Sequence, residues 1–383
     1  MSPSRLVGLD VARCVALLGM VATHVAEDYG PDGRLAVAQW LPGGRASALF
    51  AVLAGVSLAL MTGGRTPVRG RERAARSAGL AVRALLVAVV GLVLGEPDSG
   101  LAVILTYYGL LFLCGLAFVG LRAPAALALA AVWLVLAPVV TQVLRPELPA
   151  RGFESPTFAQ LADPARLLGE LAVTGYYPVL PWLAYLLVGL GIGRLDLSRR
   201  AVQLGLAAAG AVLAATAVGV SRLLLARPGV ADRLLEELGR SGGPEELRRA
   251  TEPSMYGGTP ADGSWDWLLV VAPHSSTPFD LAHTIGTALL VIGTCLLVVG
   301  LVGPFAERVL AIVFGAGTMT LTLYSLHVLL RTETLWPEDD GTFVPHALVL
   351  LAIGAVFVAA GRRGPVERVV GAAADGARDL VRR

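Results

Sequence analysis

The sequence predicts an all-α fold: a polytopic bundle of about ten transmembrane helices with both termini cytoplasmic. Three observations predict it. Of 383 residues, 55% are hydrophobic and only 16% charged, where a soluble protein carries about 25% charge, and the mean hydropathy is +0.68. Apolar runs of about 20 residues recur along the whole length, the length a helix needs to cross a bilayer. They are too long and too unalternating for barrel strands, so helices are the remaining way to satisfy the backbone in lipid. Finally, the arginines gather on alternate loops, the bias that sets orientation.

The spans follow in order. The first, about residues 6–27, lies in "RLVGLDVARCVALLGMVATHVAEDYG"; Asp10 and Arg13 interrupt what would be the apolar region of a cleaved signal. The second, 46–62, opens beside Arg45 with Ser47. The third, 79–95, contains Arg83, and the fourth and fifth cover 101–121 and 124–144. Apolar runs at 171–193, 201–225, 279–302, 309–330 and 345–361 complete the ten. The loop "TGGRTPVRGRERAARSAG", the turn "GRLDLSRR" and the tail "GRRGPVERVVGAAADGARDLVRR" then share the side of the N-terminus, the cytoplasmic one by arginine bias. "GEPDSG", "WPEDDG" and the loops 145–170 and 226–278, acidic or mixed in charge, fall outside. In the 226–278 loop a charged stretch suits a short surface helix, and "PSMYGGTPADGSWDW" suits an ordered loop. Residues 1–363 read as one membrane domain and 364–383 as a cytoplasmic tail forming a surface helix.

Composition excludes several functions. Repeats, coiled coils, phosphate-binding Gly-rich loops and nucleic-acid motifs are absent. Cys14, Cys114 and Cys295 lie in separate spans without ligand spacing, so neither a disulfide framework nor a metal site is expected. All 31 basic residues are Arg, a bias that points to a GC-rich bacterial genome and the bacterial cytoplasmic membrane.

Charges inside apolar runs cost free energy and usually mark a site or pathway. At 100° per residue, Arg13 and His24 share a helix face, about 16 Å apart along the axis. Asp10, one turn before Arg13, joins the same stripe. Two readings stay open: an Asp10–Arg13 pair with Arg13 snorkelling at the interface, or a stripe facing a protein-lined cavity. The other histidines favour the cavity. His327 lies as far into its span as His24 does into its own, so the two share a depth. His283, with Asp280 one turn before it, and the pair Arg45 and Ser47 reach the same outer level. Together these residues predict an outward-facing polar site; His346 and His274 are expected to be solvated rather than catalytic, with a substrate contact left open for His274.

At these residues the sequence resembles known families. "RCVALLGMVATH" is similar to the first-span Arg–His signature of the membrane acyltransferase-3 proteins. "LFAVLAGVSL" resembles their phenylalanine-rich segment ending in Ser-Gly, with Ala54 where the Ser stands, and "LTLYSLHVLL" resembles their late Tyr-Leu-x-His segment. "RLVGLDVARCVALLGM" followed by "GRASALFAVLAG" looks still more like bacterial proteins named for heparan-α-glucosaminide N-acetyltransferase. Both groups belong to one transmembrane acyltransferase superfamily. One departure stands out: the lysosomal relatives carry a His in the first outer loop, and loop 25–45 has none.

The resemblance implies transfer of an acyl group, taken as acetyl, from cytoplasmic acyl-CoA to a hydroxyl or amine of an external glycan or glycolipid, without a metal. His24 would be catalytic as base or nucleophile, with His327, Asp280 and His283 beside it. Arg13, oriented by Asp10, would contact the CoA phosphate or pantetheine arm. Arg69, Arg71, Arg73 and Arg76 would hold the nucleotide, unless they serve only to retain the loop inside. Arg45 and Ser47 would meet the acceptor. Membrane lipid is the expected surrounding, nucleic acid is not a partner, and a homo-oligomer stays open. The rival reading is a transporter or flippase for a small polar or lipid-linked substrate, which would also need buried charge and a water-filled path. A scaffold or sensor without chemistry is the third.

Overall fold

A computed structural model describes residues 6–152, 155–253, 259–332, 335 and 342–383. Among them the regular secondary structure is helical, apart from an isolated bridge between Tyr29 and Leu35. The principal helices are α1 (Val7–Val25), α2 (Arg45–Met61), α3 (Gly70–Gly95), α4 (Leu105–Gly115), α5 (Ala123–Leu144), α6 (Val179–Gly193), α7 (Arg200–Leu225), α8 (Pro278–Leu301), α9 (Pro304–Val313), α10 (Thr320–Leu330), α11 (Phe343–Ala359) and α12 (Pro365–Arg382). Several starts are legible locally. Pro278, Pro304 and Pro365 occupy the first helical position, where a missing N–H costs nothing. Thr277 caps α8 by accepting the Asp280 N–H at 3.1 Å.

Among the described residues six helices are long and apolar enough to cross a membrane, with α2 counted together with the turn before it; they make this a multi-pass membrane protein. A seventh span results if Pro164–Thr174 and α6 are taken together across their 56° bend. The remaining expected spans are shorter apolar helices, Leu105–Phe118, α10 and α11. Two expected spans are broken. The run at 171–193 begins in a π-helical turn, Glu170–Thr174, and restarts after Pro178. The run at 309–330 is divided into α9 and α10 by the tight turn Gly315–Thr318. That turn presses against α1: a Cβ on Gly317 would sit 1.8 Å from the Asp10 carbonyl oxygen.

α1 lies in the interior, packed against α2, α8 and the 315–318 turn, with Leu9, Ala12, Cys14, Leu17 and Val21 buried. α2 and α6 touch backbone to backbone. A Cβ on Gly189 would meet the Val52 carbonyl oxygen at 1.9 Å, and one on Gly55 would meet the Leu186 oxygen at 2.2 Å. Arg194, at the end of α6, is buried rather than spread over a lipid surface. It donates to the carbonyls of Ala59, Gly64 and Val119 and to Thr62 Oγ1 at 2.6–2.9 Å, tying three turns together. The 226–278 loop holds helices Val230–Glu237 and Pro244–Thr251 around a small core of Leu234, Leu235, Leu247 and Trp267. Residues 254–258 of the expected ordered loop, and all of "WPEDDG", lie outside the described residues.

The 364–383 segment is more than a surface helix. α12 lies along α3, with Arg378 Nη2 3.2 Å from Glu72 Oε1. At its first turn the Glu367 carboxylate accepts from the Thr322 N–H at 3.0 Å and from the Thr322 hydroxyl.

Candidate functional site

Arg13, on the α1 stripe, lines a cavity of about 430 Å³, within the usual range for ligand sites. Asp10 holds Arg13 through Oδ1–Nη1 at 2.8 Å. Arg13 Nη2 donates to Ser57 Oγ on α2 at 2.9 Å. Ser57 stands three residues beyond Ala54, so a hydroxyl on the following turn meets the arginine although Ala54 itself has none. Arg83, Tyr108, Tyr324 and Glu367 supply further polar groups to the cavity, and Phe50, Leu53, Val87 and Phe112 its apolar wall. Arg13 therefore faces a protein-lined space rather than snorkelling to an interface.

Further along α1 the histidines meet. His24 Nδ1 and His327 Nε2 are 3.0 Å apart, with only 5° between the ring planes. This is closer than shared depth alone requires, and it holds although the span carrying His327 is broken. His327 is wholly buried, whereas His24 keeps partial exposure. His346 packs edge-on against His327 with centroids 5.4 Å apart, buried and not solvated as expected. Among the described residues no group of three His, Cys, Asp or Glu side chains is arranged to hold a metal ion.

His24 borders a second, much smaller space of about 10 Å³, lined also by Thr23, Ser47, Tyr177 and His274. Ser47 is where the sequence placed it; its hydroxyl donates to the Gly44 carbonyl at 3.1 Å. His274, expected to be solvated, is buried against Tyr177 and Trp182, with ring centroids at 5.4 and 6.5 Å. Its backbone is left-handed, φ 60°, a conformation uncommon outside glycine. Burial, and secondarily the positive charge of Arg151, push its pKa down to about 4, so the ring is neutral at pH 7.

Other expected residues lie elsewhere. Arg45 Nε donates to His283 Nε2 at 2.9 Å and also binds the Trp40 and Leu41 carbonyls. Neither Arg45 nor His283 lines the two spaces. Asp280 does not pair with His283: it accepts the Ser276 N–H at 3.0 Å and so secures the loop that carries His274. Arg69, Arg71, Arg73 and Arg76 are also outside the cavity lining. Arg76 is bound to Glu72 and the Met61 carbonyl, Arg71 reaches the Val381 carbonyl, and Arg73 lies against Gly120. The arginine that enters the cavity from α3 is Arg83. Sequence reasoning treated it as an interruption of a span, although its position in an apolar run was the same signal that singled out Arg13. Nothing local marked Ser57 or Glu367, whereas Tyr324 is the tyrosine of the "LTLYSLHVLL" segment that carried the resemblance.

The family profile described as "Heparan-alpha-glucosaminide N-acetyltransferase, catalytic" matches residues 5–225. No curated protein matches the chain. The matched stretch runs from the start of α1 to the end of α7. It includes Asp10, Arg13, His24, Ser47, Ser57 and Arg83, and leaves out His274 and His327. Covering more than half of the 383 residues, the match shows that the chain belongs to the heparan-alpha-glucosaminide N-acetyltransferase catalytic family, a family of membrane acetyltransferases.

Proposed function

We propose that the protein moves an acetyl group from acetyl-CoA, bound from the cytoplasm in the Arg13 cavity, to a hydroxyl or amine of a glycan or glycolipid on the outer side of a bacterial cytoplasmic membrane. The observation that carries this reading is the arrangement along one helix: Arg13 in a 430 Å³ cavity, and His24, eleven residues on, in a separate chamber with Ser47 and His274. The rise of about 16 Å between them suits an extended donor arm.

The residues present fit such a donor. Arg13 and Arg83 offer planar, multiply donating cations to phosphate or to the arm's carbonyls. Arg13 is held for this by Asp10 and Ser57, while Phe50, Leu53 and Phe112 exclude water from the arm. α12 runs from Glu367 at the cavity wall to Arg378, which meets the start of α3. The exposed Arg69 and Arg71 therefore lie about 16 Å from that wall along α12, within reach of the nucleotide end.

In the reaction the acceptor O–H or N–H bond breaks, a bond from that atom to the acetyl carbon forms, and the thioester C–S bond breaks. His24 Nε2 takes the acceptor proton, which finally resides on the CoA thiol. In the tautomer where Nδ1–H donates to His327 Nε2 across the 3.0 Å contact, Nε2 of His24 is left basic, and this is the form the mechanism uses. Taking the acetyl group on Nε2 first is the covalent variant of the same geometry.

The test is radiolabelled acetyl-CoA supplied to the protein in vesicles, with label sought on an envelope glycan. His24→Ala is expected to abolish transfer while donor binding persists. Full activity in His24→Ala would refute the mechanism. A transporter gains one observation, the bent helix at Gly175–Pro178. Movement of unmodified substrate without thiol release would favour it.

A further inference from the structure

The cavity and the His24 chamber share three lining residues: Met20, Ile104 and Tyr324. These form the wall between donor and histidine. Met20 stands on the α1 stripe itself, seven residues after Arg13 and four before His24. At 100° per residue it lies within about 40° of both, so anything passing from one to the other passes it.

Two parts of this wall are held in place. The Ile104 N–H donates to Tyr324 Oη at 3.2 Å, and both residues are buried. Ile104 sits just before α4 and Tyr324 on α10, so this bond joins elements far apart in sequence. Met20 is buried too, but it is an unbranched thioether with three rotatable bonds and adapts to what lies beside it. Beyond it the space falls from about 430 Å³ to about 10 Å³, room for a group the size of one water.

We infer that Met20 sets the acyl chain length that the enzyme transfers. The methyl end of an acetyl donor fits the small space beside His24 that Met20 borders; chains of four carbons or more bind in the cavity but find no room for their tail there. The inference rests on the donor reading above and concerns the fit of the chain; Met20 makes and breaks no bond.

The experiment uses the full-length protein with acetyl-, propionyl-, butyryl- and hexanoyl-CoA, glucosamine as the probe amine, and thiol release as the readout. Binding of each donor is measured separately. Wild type is expected to bind all four donors comparably and to turn over acetyl-CoA by far the fastest. One methylene in a tight apolar site discriminates about 10- to 200-fold. Met20→Ala should therefore raise the butyryl-to-acetyl ratio of kcat/KM by about tenfold or more. Met20→Val should raise it less, and it provides the same readout if the alanine variant folds poorly. Met20→Leu, of similar volume, should keep the wild-type preference. An unchanged ratio in the Ala and Val variants, with acetyl transfer intact, overturns the role of Met20 and leaves the proposed function standing. No thiol release from any donor by wild type overturns the proposed function and this inference with it.

Discussion

Replacing His327 by alanine tests the histidine pair quantitatively. The perturbation removes the 3.0 Å partner of His24 Nδ1 from a position with no solvent exposure, so water does not simply take its place. A buried polar atom that loses its partner costs about 1–3 kcal/mol. In this site the loss falls on the orientation and tautomer of His24. At 1.36 kcal/mol per tenfold, acetyl transfer at saturating donor should slow by about 5- to 160-fold. Donor binding should stay near wild type, because His327 lines neither space. His327→Gln, which keeps a hydrogen-bonding end, should recover part of the rate. Initial rates of label transfer and calorimetric donor binding are the two assays. A wild-type rate in His327→Ala would refute the coupling; loss as complete as in His24→Ala, with binding intact, would show that His327 itself meets the reacting atoms.

Three further outcomes follow from separate features. Arg13→Lys keeps the charge but loses the fork that holds Asp10 and Ser57 together; donor Kd should rise about tenfold, an interaction loss of about 1.4 kcal/mol, with unchanged Kd arguing for a purely structural pair. His274 has a folded pKa of about 4 and an unfolded one of about 6.5, so between those values the unfolded state binds more protons. Its contribution to stability is complete above pH 6.5 and declines by about 3 kcal/mol in all as pH falls to about 4; thermal melts of His274→Gln should show a shallower acid dependence than wild type over that window. Gly189→Ala places a Cβ 1.9 Å from the Val52 carbonyl and should destabilise by about 1–3 kcal/mol through overpacking. Gly219→Ala on α7, with open space around it, should be neutral or slightly stabilising, and equal melting temperatures for the two variants would contradict the tight α2–α6 contact.

Much of the bundle was legible because a lipid-crossing helix declares itself by length and hydropathy. The breaks were less so. "FGAGT" between α9 and α10 lies in a continuous apolar run, and only the approach of α1 to Gly317 explains the turn. Helical arithmetic found the Asp10–Arg13–His24 stripe because those residues share one rigid element. It also brought His327 to His24, but depth says nothing about azimuth, and so it brought Asp280 and His283 along with equal weight. Their real partners, Ser276 and Arg45, depend on how α8 is turned. His346 and His274 were misjudged as solvated for a related reason: position near a span's end predicts depth, while burial is decided by neighbours such as His327 and Trp182. In the arginine-rich loop, charge pattern alone could not separate a ligand contact from an ion pair such as Arg76–Glu72.

The cavity's walls come from opposite ends of the chain, and this bears on its biogenesis. α1 contributes Arg13 and Met20, and α12 contributes Glu367 and Val370. While synthesis proceeds from the N-terminus, the first helices form a groove that stays unsealed on one flank for some three hundred residues of elongation. A ligand that needs the finished wall cannot template the early insertion steps. It can stabilise only the completed chain, by mass action. The Glu367–Thr322 bonds are thus among the closing acts of assembly, and a cell that monitors this protein has in the docked α12 a sign that the site behind it has been completed.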